Sequence, residues 1–369
     1  MRGTSAKARP PAHCTPLRVC ASAHYWALSF LVTFGTAAAP LAAQAPAGTL
    51  IVINKSDNTA VLLDLPEGRV VATLPTGMGP HEVAVAPGGR WAVVSNYGEP
   101  QAPGHTLTLI DVWRGAVVRT VELGAQRPHG LAWTPDGRTV VVTVEASRAV
   151  LPVDARHWTV GRALATGQET SHMVAVSPDG RRAYVGNIGG GSVSLLDLRR
   201  PGDPRITQTG RGTEGVAVSP DGREVWAVNR SGNTVSVLDA RSLETLATLP
   251  CADFPIRVKF TPDGRRVLVN AARSSDLHIF DPVTRQAVGT VPFPLDTARA
   301  VPTLLGDQFA RSAVPVGVLA APGNALAYVA LSAMGEVVEI DLGSRTVVRR
   351  FAVGHEPDGL GYSPVRVRR

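Results

Sequence analysis

The chain has 369 residues, with 37 Lys and Arg against 30 Asp and Glu, 44% hydrophobic residues and three cysteines. A formal charge of +7 spread over this length argues poorly for a nucleic-acid partner. Signatures of several enzyme classes are missing: there is no Gly-x-Ser-x-Gly elbow, no His-Glu-x-x-His, no phosphate-cradling glycine loop, and no Cys-x-x-Cys-His for covalent c-type haem.

Residues 1–45 contain no acidic side chain but carry Arg2, Lys7, Arg9 and Arg18, followed by an apolar run from Tyr25 to Ala39 and the small-residue stretch Leu41-Ala42-Ala43-Gln44-Ala45. This is the order of a Sec-type secretory signal peptide, with cleavage expected near 43–45. The apolar run is too short to anchor the chain in a bilayer, so a periplasmic or secreted protein without a transmembrane anchor is expected. Neither a twin-Arg pair nor a lipoprotein cysteine is present, and the long basic region points to a start downstream of Met1. Removing this segment takes four basic residues, leaving a charge of +3, and takes Cys14 and Cys20, leaving Cys251 alone with no internal disulfide.

From residue 49 onward one unit repeats. Thr134-Pro135-Asp136-Gly137-Arg138, Ser177-Pro178-Asp179-Gly180-Arg181, Ser219-Pro220-Asp221-Gly222-Arg223 and Thr261-Pro262-Asp263-Gly264-Arg265 are copies of one turn, with looser versions at Pro87, Pro322 and Pro364. The marker prolines are spaced by 48, 43, 42, 42, 60 and 42 residues. Each unit holds four short runs rich in β-branched residues, as in 215–219, 224–229, 234–239 and 244–249, separated by Gly, Pro, Asn and Asp. Four strands per period of about 40–45 residues predict a β-propeller blade. Strands b, c and d at 50–74 precede the first marker and a lone strand a at 359–363 follows the last. The expected fold is therefore an all-β, seven-bladed propeller over residues 46–369, closed by pairing the N-terminal strands with the C-terminal one.

Two departures from the repeat fall on one face, called the top. Residues 97–105 lengthen a b–c loop, and residues 292–313 lengthen a d–a loop in which a helical turn is expected. Insertions on one face mark the binding face of a repeat protein, and a pocket under 292–313 would make that segment a lid over a small molecule.

The units also resemble a known family. Arg182-Ala183-Tyr184-Val185-Gly186-Asn187 with Gly191-Ser192-Val193-Ser194-Leu195-Leu196-Asp197, and Val228-Asn229 with Ser231-Gly232-Asn233-Thr234-Val235-Ser236-Val237-Leu238-Asp239, are similar to the YVTN repeat. The resemblance spans roughly 49–364 and is to YncE-like members, bacterial seven-bladed propellers that are often exported. The enlarged sixth unit departs from that pattern.

Aligning the starts of strand a places His81, His129, His172, Glu214, Ile256, Val316 and Asp358 at one position. Strand a lines the channel, so these seven should ring its top mouth. His81, His129, His172, Glu214 and Asp358 are the candidate ligand-binding residues. His81, His129 and His172 are the candidate ligands of a transition metal such as Zn, Cu or Fe; alternatively the histidines are only repeat consensus. Asn54, Asn96, Asn187, Asn229 and Asn270 end strand b and are expected to satisfy backbone groups in the following turn, while Trp91, Trp133 and Trp226 are expected to pack between blades. The preferred expectation is a non-catalytic scaffold binding a protein or small molecule through its top face. The alternative is a metal- or metallocofactor-dependent propeller, lactonase-like or haem-handling, acting as enzyme or carrier. Single-stranded nucleic-acid binding ranks last.

Overall fold

The computed structural model describes residues 46–200, 202–304 and 306–368. The expected signal peptide lies outside them. Seven antiparallel sheets form the ring. Blade 1 takes strand a from the C-terminus (Pro357–Ser363) and strands b, c and d from the N-terminus (Thr49–Asn54, Thr59–Asp64, Arg69–Pro75). Thr49 pairs with Ser363 and Leu50 with Tyr362, which completes blade 1 and closes the ring as expected, leaving only the short edges of each blade. Blades 2 to 7 begin with strand a at Pro80–Val85, Pro128–Trp133, Ser171–Val176, Thr213–Val218, Pro255–Phe260 and Pro315–Ala320. Blade 3 departs slightly, because its outer strand is split into Thr159–Val160 and Leu164–Ala165.

Strand b is apolar at nearly every position because both of its faces are covered. In blade 1, Ile51 and Ile53 pack with Val83, Ala92 and Val94 of blade 2, while Leu50 and Val52 pack with Tyr328 and Ala330 of blade 7. One such apolar cluster sits at every junction between adjacent blades. Trp226 is fully buried between blades 5 and 6 against Phe260 and Phe280, whereas Trp91 and Trp133 are only half-buried at the junction of blades 2 and 3.

The repeated turn has a double role. In the four full copies the Ser or Thr hydroxyl donates to the Asp carboxylate, which also accepts from the backbone N–H two residues on. The glycine takes φ of 66° to 71°, a left-handed conformation that few other residues tolerate. A Cβ there would lie 3.2 to 3.7 Å from the marker proline of the preceding blade, so the motif also spaces neighbouring blades.

The insertions take defined forms. Residues 97–105 are mostly a hairpin extension, with strands Trp91–Gly98 and Pro103–Asp111 pairing out to Gly98–Pro103. Among its described residues the 292–313 segment contains one 3-10 turn, Asp307–Phe309, and its Phe309 is buried against Phe254. The strand-b asparagines do part of what was expected, since Asn187 donates to the Ser192 carbonyl across its own b–c turn and Asn54 and Asn229 tie their hairpins through the Thr59 and Thr234 hydroxyls. Several also reach further, to the d–a link at the blade's entry or to the next blade's first strand, as in Asn54 to the Val353 carbonyl and Asn270 to the Val316 and Gly317 carbonyls. The tertiary arrangement brings those backbone groups closer than the local turn does. Among the described residues no helix is long and apolar enough to cross a membrane.

Candidate functional site

Every strand a carries a register irregularity just after its first residue. Such a bulge frees one or two residues from pairing and re-aims their side chains. The freed residues are the seven ring positions and, except in blades 4 and 6 where Met173 and Arg257 stay paired, their successors. The preceding blade anchors the ring from behind: Ser95 Oγ donates to the His129 carbonyl at 2.7 Å, and Thr143 Oγ1 to that of His172 at 2.6 Å. In four blades the successor is glycine, where a Cβ would collide with the next blade's backbone, at 2.0 Å from the Asp358 carbonyl in the case of Gly317.

The three histidines do come together. The His81 and His129 rings are 4.9 Å apart, and His129 stacks on His172 at 3.5 Å. Tyr97, from the extended hairpin, covers His81 and His129 with ring separations of 4.6 and 5.5 Å. The ring nitrogens do not form a ready-made ion site; among the described residues no three His, Cys, Asp or Glu side chains are grouped to hold a metal ion.

Each imidazole has its own electrostatic setting. His81 is pushed down to about 3, first by burial and then by the charge of Lys55. Its Nδ1 lies 2.9 Å from the Gly79 carbonyl, which assigns the proton to Nδ1 and leaves Nε2 with a free lone pair. His129 is 2% exposed and also held well below its ordinary value, by burial and by its histidine neighbours, and its Nδ1 has no partner. For His172 burial works against the charge, but Glu145 at Nδ1 and Glu214 at Nε2 outweigh it and raise the pKa. Glu145 in turn accepts from the Tyr97 hydroxyl at 2.7 Å.

Glu214 and Asp358 are tied into ion pairs. Glu214 meets Arg230 and Arg257, each at 2.7 Å, and stays ionised despite burial because His172 and these guanidiniums favour its charge. Asp358 pairs with Lys55 at 2.9 Å, which likewise holds its carboxyl low against burial. Arg257, 4% exposed, also binds Glu82 through Nη2 at 2.7 Å and Nε at 3.0 Å. Arg257 belongs to blade 6 and Glu82 to blade 2, so this pair bridges the channel and forms the floor of the mouth. Ile256 and Val316 make the remaining arc apolar and pack under the insertion with Phe254, Phe309, Val314 and Ala333.

Sequence reasoning placed all five candidate residues at the mouth but missed Lys55, Glu82, Glu145, Arg230 and Arg257. For Glu82 and Arg257 a signal existed, since they occupy the successor position that is glycine in four other blades. Glu145 and Arg230 follow strand b, and their reach depends on how those loops turn inward. The insertion, with Val314 and Ala333, encloses a cavity of about 260 Å³ lined by Leu295, Val301 and Phe309 among others. The Val301 N–H donates to the Ala333 carbonyl and that of Leu304 to Glu356, so the segment arches over blade 7 to the edge of blade 1.

Comparison with known proteins finds one family model over part of the chain and several solved structures of similar fold. Residues 135–280 match the family described as cytochrome D1 heme domain. No curated protein matches the chain. Among solved structures, the fold is similar to a functionally unknown protein from Desulfotomaculum acetoxidans DSM 771, with a TM-score of 0.69, 14% identity, and 87% of this chain and 100% of the other covered. It is similar to Kuenenia stuttgartiensis hydrazine synthase, with a TM-score of 0.65, 18% identity, and 83% and 98% covered. It is also similar to dihydro-heme d1 dehydrogenase NirN in complex with DHE, with a TM-score of 0.59, 18% identity, and 87% and 76% covered. Identities this low speak for the fold alone.

Proposed function

We propose that the chain is a scaffold that binds an iron tetrapyrrole of haem type across the top mouth of its channel. The observation that carries this reading is the pair of neutral, buried imidazoles, His81 and His129, of which His129 has a buried nitrogen without a partner. An uncharged imidazole with a free lone pair is what an iron centre needs from histidine, and a backbone hydrogen bond on the opposite nitrogen, as His81 makes with Gly79, orients the ring and raises its basicity. The rest of the mouth suits a flat amphiphile. Ile256 and Val316 leave the remaining arc without charge, and Arg127, stacked on Tyr97 and donating to the Glu99 and Pro100 carbonyls, offers a cation for an acidic substituent. The match to the cytochrome D1 heme domain supports the same ligand class.

When bound through His81 or His129, the iron would supply ligand exchange and one-electron chemistry. The chain's own part is to supply the nitrogen, to keep it unprotonated, and to shield it with Tyr97. An exported YVTN-type propeller, as the repeat and the N-terminal segment suggest, would meet such a ligand in the periplasm.

The test is a titration of the purified mature protein with hemin, followed by the Soret band. Wild type should bind one equivalent with a histidine-ligated spectrum. His81→Ala and His129→Ala should lose that spectrum or weaken binding by about tenfold or more, the worth of one strong polar contact. Equal binding by wild type and both variants would overturn the reading.

A further inference from the structure

Beneath the Arg257–Glu82 bridge the channel opens into a second chamber of about 780 Å³, within the range of small-molecule sites. Its wall is the lower half of strand a from all seven blades, and Pro220, Pro262 and Pro322 of the bottom turns surround its opening. The inner wall presents Ala84, Ala132, Ala175, Ala217 and Leu319, and one residue, Lys259, occupies the corresponding position in blade 6. Lys259 is the single lysine or arginine in the lining; the Tyr362 hydroxyl is engaged by the Ala47 carbonyl.

Lys259 is exposed to the chamber yet deep in the molecule. Among the described residues it has no hydrogen-bond or ion-pair partner, because the nearby Glu82 that attracts it is held by Arg257. Desolvation therefore disfavours its ammonium, and an ammonium in apolar surroundings is costly until a counter-charge joins it. One monoanion balances the charge, whereas a dianion would leave a surplus in the same apolar space. An aliphatic tail would gain from burial against the alanine wall.

We propose that this lower chamber is a binding site for a monocarboxylate with an aliphatic chain, its carboxylate paired with Lys259 and its tail along the strand-a wall. This site is separate from the upper mouth and does not rest on haem binding there. Trp133 lines the chamber, so its fluorescence can follow occupancy.

The experiment titrates the mature protein with decanoate below its micellar concentration, with decan-1-ol as the uncharged control. Wild type should saturate with one equivalent of decanoate. Lys259→Met should weaken decanoate about tenfold or more, and decanol should bind both proteins alike. Lys259→Arg should keep the preference for the carboxylate. Equal decanoate affinity for wild type and a Lys259→Met protein with an unaltered melting curve would overturn the proposal, as would the absence of saturable binding to wild type.

Discussion

Replacing Arg257 with methionine should destabilise the protein by about 3–5 kcal/mol at pH 7, the cost of breaking a buried ion pair from one side. Arg257 is 4% exposed and contacts Glu82 and Glu214 at 2.7 Å, with Asp358 at 4.0 Å. Its loss removes a cation from a cluster of largely buried carboxylates. Arg230 continues to serve Glu214, and Lys55 continues to serve Asp358, so the damage should fall chiefly on Glu82, whose carboxyl burial already pushes up. The pH dependence identifies the cause. Without Arg257 the folded state should bind an extra proton near neutral pH, so the deficit should shrink as pH falls from 7 to 5. Denaturant unfolding at several pH values measures this, and a deficit of constant size would mean that lost packing, not stranded charge, is responsible.

His81→Gln should change how stability responds to acid. In the folded protein His81 titrates at about 3, against an unfolded value of about 6.5. As pH falls, the unfolded chain takes up the proton first, so the folded state has full stability above about pH 6.5 and loses it progressively down to about pH 3. By pH 5 the loss assignable to His81 is about 2 kcal/mol. His129 acts in the same direction, while His172, whose pKa is raised, favours folding on the acid side and loses that contribution as pH rises through its folded value. Between pH 7 and pH 5 the unfolding free energy of His81→Gln should therefore rise relative to wild type by about 2 kcal/mol. An unchanged difference across that range would show that His81 is not held neutral. The depression that makes the protein acid-sensitive is also what keeps the His81 lone pair available to iron, so histidine ligation of hemin should persist at pH 5.

Much of the molecule was legible before its structure. The turn copies and their spacing dictated seven four-stranded blades, because a strand whose two faces both meet neighbours must be apolar throughout and must stop at Pro-Asp-Gly. The split blade followed from counting strands at the two ends, and Thr49 does pair with Ser363. The ring of His81, His129, His172, Glu214 and Asp358 followed from one alignment position, since a propeller brings equivalent residues of consecutive blades to one mouth. The lengthened b–c connection at 97–105 was legible, but that its strands pair out to Gly98 and Pro103, and that the outer strand of blade 3 is split, were not, as both depend on pairing beyond the local turn.

The electrostatic character of the site lay beyond the sequence. Arg257 and Glu82 are 175 residues apart and meet across the channel, and Glu145 reaches His172 from a neighbouring blade. Whether a histidine is a neutral lone-pair donor or a clamped cation depends on such partners, and on how much water the assembled mouth excludes. The repeat thus determined the blades and the mouth residues, because both follow from a local pattern copied seven times. Only the closed ring decided that His81 and His129 are neutral, that His172 is paired with carboxylates, and that a bridged floor divides the channel, because burial and cross-channel charge contacts exist only after all seven blades are in place.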